Sequence, residues 1–203
     1  MPMYIPELGP DVPRAGGVVR RFVGRLLLVL SRWRVSGEIP NTPKLIMVLA
    51  PHTSVMDFLT AIATMLATGF HCNFLMAAGY FWWPMGSLLR WLGGTPVNQY
   101  MRSNLVSQIS STLRASDKYI LGIFPEGKRI KVMDWKTGFL RIANSTGVPY
   151  QLVTLDYGKR VTDFGQVMES SGNLQLDMES VQRYFQGAAG KNPEDFDADL
   201  YHR

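Results

Sequence analysis

Apolar runs typical of buried strands alternate with helical patterns along most of this chain, and this alternation constrains its fold more than any other feature. The four predicted strands cover 45–50, 73–78, 119–124 and 149–157. The predicted helices that separate and follow them cover 55–69, 84–94, 103–115, 139–147 and 176–187. Strands that alternate with helices predict an α/β fold, in which one layered domain has a largely parallel central sheet flanked by helices.

The first 34 residues differ from the rest of the chain. Residues 1–14 are rich in proline, and residues 18–33 mix arginines with large apolar side chains. A short helix that is both apolar and basic is typical of an amphipathic helix lying in a membrane interface, although a helix packed on the domain fits the same residues. We therefore predict an extended segment and a membrane-interfacial helix at 1–34, a main domain at 35–189 and an acidic flexible tail at 190–203.

Composition and charge narrow the choice of partners. The net charge is +5, and no run of lysine and arginine is long enough to favour nucleic acid. A basic surface of this kind suits the anionic headgroups of membrane lipids or phosphorylated small molecules. No segment reaches the ~18–20 uninterrupted apolar residues of a spanning helix. The predicted interfacial helix, together with a single cysteine that fits a reducing compartment, leads us to expect a peripheral protein on the cytoplasmic face of a membrane. The single cysteine, Cys72, excludes an internal disulfide and any multi-cysteine metal site, and we expect no metal.

The stretch "LIMVLAPHTSVMDFLTA", residues 45–61, places a histidine and an aspartate directly after the first predicted strand. Ser54 and Asp57 fit the pattern of a capping box, which would make Asp57 an N-terminal acid of the next helix. On one ideal helix His52 and Asp57 would point about 140° apart, but His52 in the turn could fold back towards the carboxylate. That contact would orient the imidazole as the aspartate of a Ser-His-Asp triad does. Both roles of Asp57 stay open at this point.

A second cluster, "GIFPEGKR" at 122–129, has the glycine and lysine spacing of a phosphate-binding P-loop. A nucleotide site is excluded because Arg129 follows the lysine where the motif needs serine or threonine. Pro125 also removes an amide donor, and Glu126 would place a negative charge among phosphates. What remains is a turn in which Lys128 and Arg129 could hold an anionic headgroup. The alternative is a solvated turn with a surface ion pair.

The chain resembles the glycerolipid acyltransferase family, the lysophosphatidic-acid and glycerol-phosphate acyltransferases, in four segments that keep the family's order: "HTSVMD", "GGTPVNQ", "FPEGKR" and "VPYQLVTLDYG". This resemblance implies that the main domain, 35–189, is an acyltransferase domain in which an acceptor hydroxyl attacks an acyl thioester directly. By the match, His52 would be the general base and Asp57 its orienting partner. The match places Glu126, Gly127 and Arg129 in the family's acceptor-binding segment. Lys128 adds positive charge there and is assigned to substrate binding as well.

The middle segment departs from the family pattern. Gln99 stands where many members carry an arginine that can hold the acceptor phosphate. Either Arg102, three residues on, replaces that arginine, or the acceptor is not a simple glycerol phosphate. We predict an O-acyltransferase that moves a fatty acyl group from acyl-CoA or acyl carrier protein to a hydroxyl of a lysophospholipid or related polar lipid, without a cofactor. The alternatives are a thioesterase-like hydrolase, in which His52 activates water, and a non-catalytic lipid-binding protein on the same scaffold. No pattern in the sequence points to an oligomeric state.

Overall fold

Seven strands and six helices appear in a computed structural model, which describes residues 4–97, 104–132 and 134–196. The strands are β1 Arg34–Gly37, β2 Lys44–Ala50, β3 Asn73–Ala77, β4 Gly94–Val97, β5 Tyr119–Ile123, β6 Tyr150–Asp156 and β7 Val161–Met168. The helices are α1 Val18–Leu30, α2 Val55–Thr68, α3 Met85–Trp91, α4 Leu105–Ala115, α5 Gly138–Thr146 and α6 Leu174–Phe185. Short 3₁₀ segments lie at Ala78–Tyr80 and Pro193–Asp195.

All seven strands form one sheet, in the order β1-β7-β6-β2-β5-β3-β4. The neighbours β6, β2, β5, β3 and β4 run parallel to one another. Strand β7 pairs antiparallel with β6, and β1 pairs parallel with β7, so this edge of the sheet runs in the opposite direction. The predicted single α/β domain with a largely parallel sheet and an N-terminal helix is therefore confirmed.

The central strand β2 is buried on both faces, as its unbroken apolar run predicts. Leu45 and Met47 contribute to one core together with residues of α1 and α2. Ile46 and Val48 contribute to a second core together with residues of α4, α5 and α6. This alternation follows from the two-residue period of a strand. Two layers of helices thus cover the two faces of the sheet.

Three strands were not predicted from the sequence, and each lies at or next to an edge of the sheet. Strand β1 has only four residues, β4 contains Pro96, and β7 carries Asp163 and Gly165. Proline, glycine and aspartate are depleted in strands, and proline is confined to edge positions. These strands form because a neighbouring strand offers its hydrogen-bonding edge, which short-range patterns do not reveal.

Helix α1 turns its apolar side chains outwards. Its buried residues are Gly24 and Leu28, and a Cβ at Gly24 would lie 2.2 Å from the backbone nitrogen of Ala67, so glycine is needed for this close approach to α2. Of the helices in the described ranges, none has the length and apolar character to cross a membrane. The opposite side of α1, which we call the α1 face, consists of the exposed residues Val18, Val19, Phe22, Val23, Leu26, Leu27, Val29 and Leu30.

Candidate active site

His52 and Asp57 meet at the carboxyl end of the central strand. Strand β2 ends at Ala50, and helix α2 begins at Val55 with Ser54 as its N-cap. In the turn between them, Nδ1 of His52 lies 3.4 Å from Oδ2 of Asp57. The distance is longer than a well-formed hydrogen bond, but catalytic contacts in unliganded sites often tighten when substrate binds. The turn therefore does fold the imidazole back towards the carboxylate.

The position of Asp57 fits both roles that the sequence left open. Its Oδ2 accepts hydrogen bonds from the backbone nitrogens of Thr53 at 2.6 Å and Ser54 at 2.7 Å. The Oγ of Ser54 accepts from the backbone nitrogen of Met56 at 3.2 Å, as part of a capping box. The carboxylate is fully buried, and the amides of the helix N-terminus hold its charge there. One oxygen thus caps α2 and faces His52.

The ring of His52 is also held by an aromatic neighbour. It stacks on Phe124, with ring centroids 4.0 Å apart and ring planes 22° apart. Phe124 follows β5, the strand beside β2 in the sheet, so the carboxyl ends of two parallel strands meet at this point. Since Nδ1 faces Asp57, Nε2 is the nitrogen that remains free to accept a proton.

Glu126 binds the backbone of the histidine turn. Its Oε1 accepts a hydrogen bond from the backbone nitrogen of His52 at 2.8 Å. Burial raises the pKa of Glu126 to about 8, and the nearby charge of Asp57 adds to this rise, while backbone hydrogen bonds oppose it. This predicted substrate-binding residue therefore ties the turn after β5 to the turn after β2.

A cavity of about 580 Å³ lies beside His52. A Cβ at Gly122, near the end of β5, would lie 2.9 Å from Sγ of Cys72, so a side chain there would crowd the cavity wall. Most of the lining is hydrophobic, which suits a chain of methylene groups. Apolar residues from the sheet and from α2 that line it include Met47, Leu49, Phe58, Met65, Phe74 and Val153.

Two cations, Lys136 and Arg141, join His52 in the lining of this cavity. The backbone nitrogen of Lys136 donates to the carbonyl oxygen of Pro125 at 2.7 Å, which ties it to the turn that carries Glu126. Arg141 lies on α5. Neither was predicted as a site residue; Lys136 lies in "WKTGF", residues 135–139, which also fits an ordinary helix start. Their position gives the cavity a place for an anionic group.

The other predicted substrate-binding residues have different surroundings. Gly127 lines the cavity, and its φ of +65° lies in the left-handed region that favours glycine. Lys128 and Arg129 are exposed on the same turn and are not among the described residues that line the cavity. Gln99 and Arg102 lie outside the described residues.

The site combines a carboxylate-backed imidazole, an apolar cavity and two cations. Across the described ranges, no three His, Cys, Asp or Glu side chains group closely enough to hold a metal ion. A base in such a place can take a proton from a polar group that is attached to an apolar chain. This chemistry fits enzymes that transfer acyl groups.

The comparison with known families agrees with this class. Residues 32–155, more than half of the chain, match the family model Acyltransferase, so the chain belongs to the Acyltransferase family. The crystal structure of the 1-acyl-sn-glycerophosphate (LPA) acyltransferase PlsC from Thermotoga maritima is similar in fold, with a TM-score of 0.56 and 19% sequence identity over 82% of this chain and 77% of PlsC. A comparison with curated proteins gives no match. The predicted resemblance to acyltransferases is confirmed for the family and the fold.

Proposed function

We propose that this protein is a glycerolipid-type O-acyltransferase that moves a fatty acyl group from acyl-CoA or acyl carrier protein to a hydroxyl of a lysophospholipid or related polar lipid. The contact between His52 and Asp57 beside the apolar cavity carries this proposal. Membership of the Acyltransferase family supports the reaction class. The lysophosphatidic-acid acyltransferase of similar fold supports a lysophospholipid acceptor.

The reaction needs a base and correct alignment, because a thioester is already activated. Nε2 of His52 takes the proton of the acceptor hydroxyl while the hydroxyl oxygen attacks the thioester carbonyl carbon. The carbon–sulfur bond then breaks, and the imidazolium returns the proton to the thiolate. Asp57 holds Nδ1 and stabilises the imidazolium, as in other carboxylate–histidine pairs. General-base help supplies about 10²–10⁴ in rate, and alignment of the two substrates supplies much of the rest.

The same site offers places for both substrates. The apolar lining receives the acyl chain, while Lys136 and Arg141 attract an anionic headgroup. The exposed Lys128 and Arg129 extend this positive charge beyond the cavity. Gln99 and Arg102 remain predicted acceptor contacts.

The outward apolar side of the molecule supports a peripheral position on a membrane. The α1 face is exposed, and the guanidinium of Arg20 lies 3.9 Å from the ring centroid of Trp91, which joins α1 to α3. Two aromatic residues before α3, Trp82 and Trp83, are exposed as well. Such a face enters the headgroup region without spanning the bilayer. Both donors are cytoplasmic compounds, so the cytoplasmic face is the proposed location.

A transfer assay tests the proposal. The purified protein is incubated with labelled acyl-CoA or acyl carrier protein and vesicles that contain lysophosphatidic acid. His52→Ala should lower the transfer rate by about 10²–10⁴-fold, because it removes the base. His71→Ala is the matched control, since His71 does not line the cavity and precedes β3, whereas His52 follows the end of β2; its loss should leave the rate within threefold.

The products separate the alternatives. Labelled phosphatidic acid supports the transferase, and labelled free fatty acid that depends on His52 supports the hydrolase. Retained vesicle binding without turnover supports the non-catalytic lipid-binding protein. A folded His52→Ala variant with the full transfer rate contradicts the role of this histidine.

A further inference from the structure

The chain after α6 returns to the active site. We call residues 187–196 the strap. The carbonyl oxygen of Ala189 accepts a hydrogen bond from the backbone nitrogen of Tyr157 at 2.8 Å. The ring of Phe196 lies 6.1 Å from that of Trp135. The strap is therefore anchored beside the end of β6 and again before α5.

Between these anchors, the strap binds the residue that follows His52. The backbone nitrogen of Asn192 donates to Oγ1 of Thr53 at 3.2 Å, and Nδ2 of Asn192 donates to the carbonyl oxygen of Thr53 at 3.0 Å. Thr53 is only 2% exposed, so its carbonyl group has little access to water. Removing the Asn192 side chain would leave that carbonyl without this partner, which is costly in a buried place.

Gly190 makes a second contact with the same turn. A Cβ at this position would lie 2.8 Å from Cγ2 of Thr53, 3.0 Å from its Oγ1 and 3.4 Å from Cβ of Pro51. Thr53 has a stiff β-branched side chain, so it could not turn aside freely. The strap therefore follows the surface of the histidine turn closely.

Three separate groups thus fix the backbone around His52. Glu126 accepts from the nitrogen of His52, Asp57 accepts from the nitrogens of Thr53 and the next residue, and Asn192 binds the oxygens of Thr53. The first two lie within residues 32–155, which match the family model, and the third lies beyond them. The strap thus supports the histidine turn from outside the segment that the family model matches.

We infer that Asn192 is a positioning residue for His52, which acts by holding the Thr53 peptide in the orientation that keeps the imidazole beside Asp57. This inference rests on the proposed function. A displacement of about 1 Å in a reacting group can cost about 10²-fold in rate. Asn192→Ala should therefore lower kcat by about 10- to 100-fold and change the KM for each substrate by less than twofold, because the cavity and its cations stay in place.

Asn173→Ala is the matched control. The Oδ1 of Asn173 accepts hydrogen bonds from the backbone nitrogens of Gln175 at 3.1 Å and Leu176 at 3.2 Å, where it caps α6. Both variants lose an asparagine side chain with hydrogen bonds to the backbone, but only Asn192 contacts the histidine turn. Asn173→Ala should lower the thermal stability and leave kcat unchanged.

A measurement without substrate separates this inference from the proposed function. Hydrogen–deuterium exchange of the peptide that covers residues 51–58 should become faster in Asn192→Ala and stay unchanged in Asn173→Ala. Gly190→Ala, which keeps the Asn192 side chain but crowds Thr53, should also speed this exchange and lower kcat.

Each result decides the matter. Faster exchange at 51–58 together with a fall in kcat at constant KM supports the role of Asn192. Unchanged exchange in the folded Asn192→Ala variant overturns it, as does an unchanged kcat or an equal fall in kcat in the Asn173→Ala control. If the wild-type protein shows no transfer, the proposed function fails, and the exchange measurement alone decides whether Asn192 holds the turn.

Discussion

Replacing Asp57 by asparagine separates the two tasks of this side chain. Asparagine has nearly the same shape as aspartate. Its carbonyl oxygen can still accept hydrogen bonds from the backbone nitrogens of Thr53 and Ser54, which lie 2.6 Å and 2.7 Å from Oδ2 of Asp57 in the wild-type protein. The turn should therefore keep its form, and the change removes the negative charge beside His52.

The structure sets the size of both effects. Hydrogen bonds to a carboxylate contribute about 1 kcal/mol more each than neutral ones, so losing the charge from these two bonds should cost roughly 2 kcal/mol of unfolding free energy. The carboxylate affects the rate only through the His52 base that it orients. The rate of Asp57→Asn should therefore fall by about 10²–10⁴-fold, the range for general-base catalysis. This loss corresponds to about 3–5 kcal/mol of transition-state stabilisation.

Ser54→Ala is the control variant for this test. It removes the Oγ that accepts from Met56 at 3.2 Å, and loss of such a cap costs about 1 kcal/mol. It leaves the carboxylate of Asp57 in place. Urea unfolding gives the stability of both variants, and the acyl transfer assay gives kcat.

We expect both variants to be less stable and only Asp57→Asn to lose its rate. If folded Asp57→Asn keeps kcat within threefold of the wild type, Asp57 is a helix cap alone, and the 3.4 Å contact with His52 has no catalytic meaning. If Ser54→Ala loses as much rate as Asp57→Asn, the helix cap controls the rate, and the charge of Asp57 does not.

Two further predictions concern pH and membranes. Because burial raises the pKa of Glu126 from its ordinary 4.5 to about 8, the folded protein keeps a proton that the unfolded chain loses. The contribution of Glu126 to stability is therefore full below about pH 4.5 and is lost as the pH rises to about 8. Glu126→Gln should reduce this loss, which is measured as the fall in the urea unfolding midpoint between pH 6 and pH 8.5. An equal fall in the wild type and the variant would contradict the buried, protonated state. Phe22 on the α1 face is 64% exposed, and Phe22→Asp should weaken binding to vesicles about 10- to 100-fold, since burying such a side chain is worth about 1.5–3 kcal/mol. The control is Leu176→Asp, since Leu176 is 56% exposed on α6, in the other helical layer. If both variants lose vesicle binding equally in a flotation assay, α1 does not form the membrane contact.

Patterns of a few residues were enough to predict much of the fold. The apolar run of β2 and the helical period of α2 are local properties, and so is the Ser54–Asp57 capping box, because its partners lie within one turn of helix. The contact of His52 with Asp57 is local as well, since the two residues are five apart. The short spacing made this contact possible, and the family resemblance, which draws on four segments of the chain, predicted it.

The surroundings of that pair depend on contacts between distant parts of the chain. Glu126 lies 74 residues from His52, and Asn192 lies 139 residues from Thr53. Which cations line the cavity also depends on such contacts: Lys136 and Arg141 line it and Lys128 does not, although all three side chains are exposed.

The sequence by itself determined the six helices, four of the seven strands, the short spacing between His52 and Asp57, and the family resemblance. Only the tertiary structure decided the antiparallel edge formed by β1 and β7, the walls of the cavity and the supports of the histidine turn. The physical reason is that backbone periodicity and helix capping act within a few residues, whereas strand pairing, cavity shape and the burial of Glu126 arise when segments far apart in the chain pack together.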